Sequence, residues 1–93
     1  IYALPAQVKL AEVYEAEGEI VKAETAYKEL IENKKAFEYR EYLTEKMLYL
    51  SLKENKKAEA EKYYKELQKL NKDTAAKYDE FMQEEKPKEE QQK

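Results

Sequence analysis

Ninety-three residues, 42% charged and 42% apolar, make one small domain with a modest core. The chain has no Cys and no His, which excludes disulfides and thiolate metal sites and removes the commonest metal ligand and general base. Gly occurs once, Pro twice, and Ala, Glu, Lys and Leu dominate, so the expected fold class is all-α.

The first helix is expected over residues 4–17, from Leu4, Val8, Leu10, Ala11, Val13 and Tyr14 on a wide apolar face. Pro5 suits its first turn, and Gly18 stops it by accepting a left-handed conformation. Ile20, Ala23, Tyr27, Leu30 and Ile31 mark a second helix ending near Glu32. The third is expected over Phe37–Lys53 and is the most apolar piece, with Leu43, Met47, Leu48, Leu50 and Leu52 pointing in nearly every direction. Such a helix touches neighbours on more than one side. Glu54–Asn55 forms the next turn. The fourth helix runs to Leu70, with Ala60, Tyr63, Tyr64, Leu67 and Leu70 inward. A fifth opens at Lys72 or Asp73 and carries Ala75, Tyr78, Phe81 and Met82 on one stripe. It is expected to lie along the third and fourth helices, bury Tyr78, Phe81 and Met82, and cover Leu48 and Leu52.

The domain is expected over residues 1–85. The remainder, 86–93, reads as a disordered charged tail, since it has no apolar side chain to bury beyond Pro87. Because the chain begins at Ile1, it reads as a processed product or the C-terminal part of a longer chain. Short connections make sequential helices antiparallel neighbours. No apolar run approaches the roughly 18 residues of a membrane span, so no membrane insertion by this segment is expected.

Charge is unevenly spread. Residues 1–33 hold three Lys against seven Glu, residues 34–72 hold eleven Lys or Arg against seven Glu, and residues 73–93 hold four Lys against seven Asp or Glu. Adjacent segments of opposite sign attract when packed. The lysines of the fourth helix are interleaved with Glu59, Glu61 and Glu66, whereas phosphate binding wants uncompensated charge. Nucleic acid is therefore not an expected partner.

Two stretches match. KAETAYKEL at Lys22–Leu30 and EAEKYYKEL at Glu59–Leu67 agree in six of nine letters at an offset of 37 residues. Each follows a short turn and sits in the second helix of a hairpin. Ala23, Tyr27 and Leu30 correspond to Ala60, Tyr64 and Leu67, each set on one helix face. With Leu10, Ala11 and Tyr14 at the first-helix spacing and Gly18 in the turn, the chain resembles the tetratricopeptide repeat family, whose unit reads W-x2-L-G-x2-Y, then A-x3-F, then Pro. Gln7 stands where the Trp would be, and no Pro closes the unit. In the second hairpin Met47, Leu48 and Ser51 stand opposite Leu10, Ala11 and Tyr14, and Lys34–Lys35–Ala36 could be the surplus over the family's usual length. Degenerate repeats of bacterial accessory proteins look similar. The resemblance implies two stacked antiparallel hairpins with a C-terminal capping helix. It also implies a partner peptide or helix held on the inner surface of the first helices.

No catalytic set is visible. Ser51, the only Ser, reads as a small residue at a packing interface, and Glu12, Glu15 and Glu19 read as a solvated face. No metal or cofactor site is expected. The nine tyrosines are the distinctive feature. Tyr14, Tyr27 and Tyr64 fit apolar stripes and read as core. Tyr42 and Tyr49, with Glu45, Lys46 and Lys53, form a mixed face on the third helix. That face reads either as a partner-binding groove or as packing for the fifth helix. Tyr offers large contact area at low entropic cost. The expected function is a non-catalytic protein–protein interaction or scaffold module. The alternative is a structural capping segment of a longer array in a membrane- or envelope-associated assembly, able to self-associate through an N-terminal edge containing Ile1, Tyr2 and Leu4. Cytoplasm and bacterial periplasm both fit.

Overall fold

Residues 3–83 are described in the computed structural model, and every regular element among them is helical. Helix α1 spans Leu4–Ala16, α2 Ile20–Ile31, α3 Arg40–Lys53, α4 Lys57–Leu70, α5 Lys72–Ala76 and α6 Asp79–Gln83, with a 3-10 segment at Lys34–Tyr39 ahead of α3. Helices α1 and α2 form one hairpin and α3 and α4 a second, with α2 packed on α3. The fold is thus an all-α arrangement of helical hairpins. The edge residues Ile1 and Tyr2 and the tail 86–93 lie outside the described residues.

The two hairpins turn in the same way, 37 positions apart. At the end of α1, Gly18 N–H donates to the Glu15 carbonyl at 3.1 Å and Glu19 N–H to Tyr14 at 2.9 Å. At the end of α3, Asn55 N–H donates to Leu52 at 3.1 Å and Lys56 N–H to Ser51 at 2.8 Å. Both are Schellman turns, which satisfy the last carbonyls of a helix through one left-handed residue. Gly18 takes φ +79° and Asn55 φ +62°, the two residue types that tolerate this region best. The repeated faces are repeated in burial: Ala23 and Ala60, and Leu30 and Leu67, are all in the core. Tyr27 is fully buried, while Tyr14 and Tyr64, expected as core, are only partly buried and pack against the core, and in α4 it is Tyr63 that is buried.

Helix α3 begins three residues later than expected. Ala36 leaves the helical region (φ −91°, ψ 21°), and the Asn33 side chain caps the 3-10 turn by accepting from Lys35 N–H at 2.9 Å. Phe37 is consequently swung out and is 71% exposed. The expected fifth helix is broken in two. Lys77 N–H and Tyr78 N–H reach back to Thr74 and Ala75 rather than one residue further, a tightened turn that ends α5. Asn71 opens α5 by accepting from Asp73 and Thr74 N–H at 3.0 and 3.1 Å, and its own amide donates to Glu41 at 3.1 Å. Thr74 also donates to Glu41, at 2.9 Å, so one carboxylate in the first turn of α3 fastens the α4–α5 junction.

Leu48, expected to be covered by the fifth helix, is fully buried, with α2 and α4 packed on α3, whereas three other core assignments change. Phe81, expected buried by the fifth helix, is 52% exposed. Leu10 and Leu70, expected inward, are 43% and 40% exposed, because each lies off the face its helix turns to the partner.

Candidate functional site: the aromatic and charged face of α3

Tyr42, Lys46, Tyr49 and Lys53 recur at intervals of four, three and four along α3 and therefore share one side of it. Glu45 lies beside them. The five residues singled out in the sequence do form one surface. Their contacts with the carboxylates of α1 were not foreseen.

The α1 end of this surface is closed by carboxylates. Tyr42 donates its phenol to Glu12 Oε2. Lys46 Nζ lies 3.0 Å from Glu15 Oε1, with both side chains mostly buried, and 5.8 Å from the ring centres of both Tyr42 and Tyr49. Glu15 also accepts from the Tyr27 phenol at 2.8 Å. The expectation that Glu12, Glu15 and Glu19 form a solvated face fails at Glu15, which links α1, α2 and α3. The signal was present in the sequence: Glu12 and Glu15 each lie one turn beyond a core residue, Val8 and Ala11.

The far end is closed differently. Glu45 Oε2 accepts from Tyr78 at 2.7 Å and lies 3.5 Å from Lys77 Nζ. Two concavities run along the face and meet at Tyr49 and Tyr78. One, about 350 Å³, is lined by Glu15, Tyr42, Glu45, Lys46, Tyr49 and Tyr78. The other, about 270 Å³, is lined by Tyr49, Leu52, Lys53, Tyr78 and Phe81. The packing alternative for this face therefore holds in part, since the segment after α4 packs on it through Tyr78 and leaves the rest open. Tyr49 and Phe81 are about half exposed.

Tyrosine–carboxylate bonds recur beyond this face. Tyr64 of α4 donates to Asp79 of α6. Burial, then the bond to a carboxylate, pushes the phenols of Tyr27, Tyr42 and Tyr78 well above the usual tyrosine range. For Tyr64 the bond to Asp79 is the larger cause. A neutral phenol can donate to a carboxylate, whereas a phenolate beside it is repelled.

The acidic and basic segments meet through Glu15–Lys46 and through Glu24–Lys56, the latter at 3.0 Å. The carboxylate of Glu24 raises the Lys56 ammonium above its ordinary value. No group of three or more potential ligands that could hold a metal occurs among the described residues. No helix among them is long and apolar enough to cross a membrane. The chain matches no family model, no curated protein and no solved structure.

Proposed function

We propose that this chain is a non-catalytic protein–protein interaction module. In this reading its degenerate tetratricopeptide-like hairpins offer the α3 face to a peptide or helix of a partner. The observation that carries it is the row of partly exposed aromatics, Tyr42, Tyr49 and Phe81, around two adjacent concavities on an otherwise strongly charged surface. Exposed aromatic clusters of this kind mark interaction sites, and Tyr is enriched among residues that dominate binding energy. The shared turn geometry at an offset of 37 residues supports the repeat reading. Affinity capture with the intact chain should recover a partner that Tyr49→Ala and Tyr42→Ala each lose while retaining helical circular dichroism. Recovery indifferent to both changes overturns the proposal.

A second reading is favoured by the outer side of α1. Ala6, Lys9, Leu10 and Val13 frame a shallow hollow of about 320 Å³, and both Leu10 and Val13 are at least 40% exposed. An array's internal edge would look like this, and α5–α6 would be its polar cap at the other end. Under this reading the chain is the capping segment of a longer array in a membrane- or envelope-associated assembly, or pairs with itself through that edge. Sedimentation equilibrium separates the cases: mass rising with concentration and reset by Leu10→Asp supports self-association, and a constant monomer mass excludes it.

A further inference from the structure

The second concavity on the α3 face has a chemistry distinct from the first. Its five lining residues are Tyr49, Leu52, Lys53, Tyr78 and Phe81, four of them aromatic or aliphatic and one cationic. The other lysines nearby are neutralised, Lys46 by Glu15 at 3.0 Å and Lys77 by Glu45 at 3.5 Å. Lys53 instead holds its ammonium 5.8 Å over the Tyr49 ring and has no ion-pair partner among the described residues. We propose that this socket anchors an amphipathic helix of a partner protein. The helix presents a large apolar side chain to Tyr49, Leu52 and Phe81 and a carboxylate, one turn away, to Lys53.

The inference rests on the interaction-module reading and specifies what that module recognises. A cavity of about 150 Å³ already accepts a benzene ring, and this socket offers about 270 Å³. An apolar anchor in an aromatic-walled socket carries binding energy. The single uncompensated cation on the rim selects the charge beside that anchor and disfavours partners bearing Lys or Arg there. On a helix, residues three or four apart share a face, which sets the spacing between anchor and acid. The chain's own residues 84–93 do not suit the socket, because Pro87 is their only non-polar side chain.

The test is selection of a yeast-displayed library of helical peptides, randomised along one face, against the labelled 93-residue chain. The expected winners carry Leu, Met or Phe with Asp or Glu three or four positions away. Phe81→Ala and Lys53→Glu should each weaken them by about tenfold. A parallel selection on Lys53→Glu should enrich Lys or Arg at the acidic position. Lys53 is on the surface, so this charge reversal leaves folding intact and keeps the proposal falsifiable even if Phe81→Ala loosens α6. Winners that bind but ignore both changes overturn the socket while leaving the module reading standing. No enrichment overturns both. A dimeric parent made monomeric by Phe81→Ala assigns the socket to a second copy and overturns the partner helix.

Discussion

The phenol of Tyr27 donates a 2.8 Å hydrogen bond to Oε1 of Glu15, and Glu15 in turn holds Lys46 at 3.0 Å. One buried tyrosine thereby orients the carboxylate that neutralises the centre of the α3 face. Hydrogen bonds to charged groups contribute about 1.5–3 kcal/mol. Tyr27→Phe keeps the apolar bulk and removes only the donor, so it should lower unfolding free energy by about that amount in urea titration. An unchanged urea midpoint would show that water replaces the phenol.

Alkaline pH should loosen the fold. Burial and the carboxylates raise the Tyr27, Tyr42 and Tyr78 phenols above their ordinary value of 10.0. A raised folded-state value means that the stabilisation is complete below pH 10 and is lost as pH climbs toward the folded-state values. For fully buried Tyr27 the slope is about 1.4 kcal/mol per pH unit. Urea midpoints should be flat between pH 7 and about 9 and fall above about 10, with a shallower fall in Tyr27→Phe. Ultraviolet titration should show these phenols ionising together with unfolding.

The two left-handed turn residues should respond in opposite directions. A Cβ at Gly18 would meet nothing within 4 Å, so Gly18→Ala has only the conformational cost of φ +79°, about 1–2 kcal/mol. Asn55→Gly at φ +62° relieves that cost and is neutral or slightly stabilising. Thermal melts of the two variants should bracket the parent. Both moving the same way would contradict the turn assignment.

Core and surface should separate along α3 and α6. Leu48 is fully buried, and Leu48→Ala should cost about 2–5 kcal/mol. Phe81 is half exposed, and Phe81→Ala should cost less than about 1 kcal/mol. Comparable losses of melting temperature would contradict the difference in burial between Leu48 and Phe81.

Ser51 offers a stabilising change. Its Oγ is buried without a hydrogen-bond partner, and Ala is the better helix former. Ser51→Ala should therefore raise stability by about 1 kcal/mol, seen as a higher urea midpoint at unchanged slope. A loss would reveal a hydrogen bond made by the hydroxyl.

Composition alone determined the helical class, and the two hairpin turns were legible because local chemistry dictates them. Only Gly or Asn is at ease where Gly18 and Asn55 sit, and the buried Ala23 and Leu30 repeat as Ala60 and Leu67, although Tyr64 is only partly buried where Tyr27 is fully so. The five residues of the α3 face were legible for a similar reason: helical periodicity places Tyr42, Lys46, Tyr49 and Lys53 together without reference to anything else. Their individual partners were not legible, although packing of the fifth helix on this face was one of the two alternatives read. Glu12 and Glu15 lie 30 and 31 positions before Tyr42 and Lys46, and Tyr78 lies 33 after Glu45. Which carboxylate meets which phenol depends on how α1 and the segment after α4 settle against α3. The same packing decided that Leu48 is buried and Phe81 is not, since both are apolar letters on apolar stripes and only the position of the neighbouring helices tells them apart. Periodicity acts within a helix, whereas the socket is formed between helices, and so it existed only in the tertiary structure.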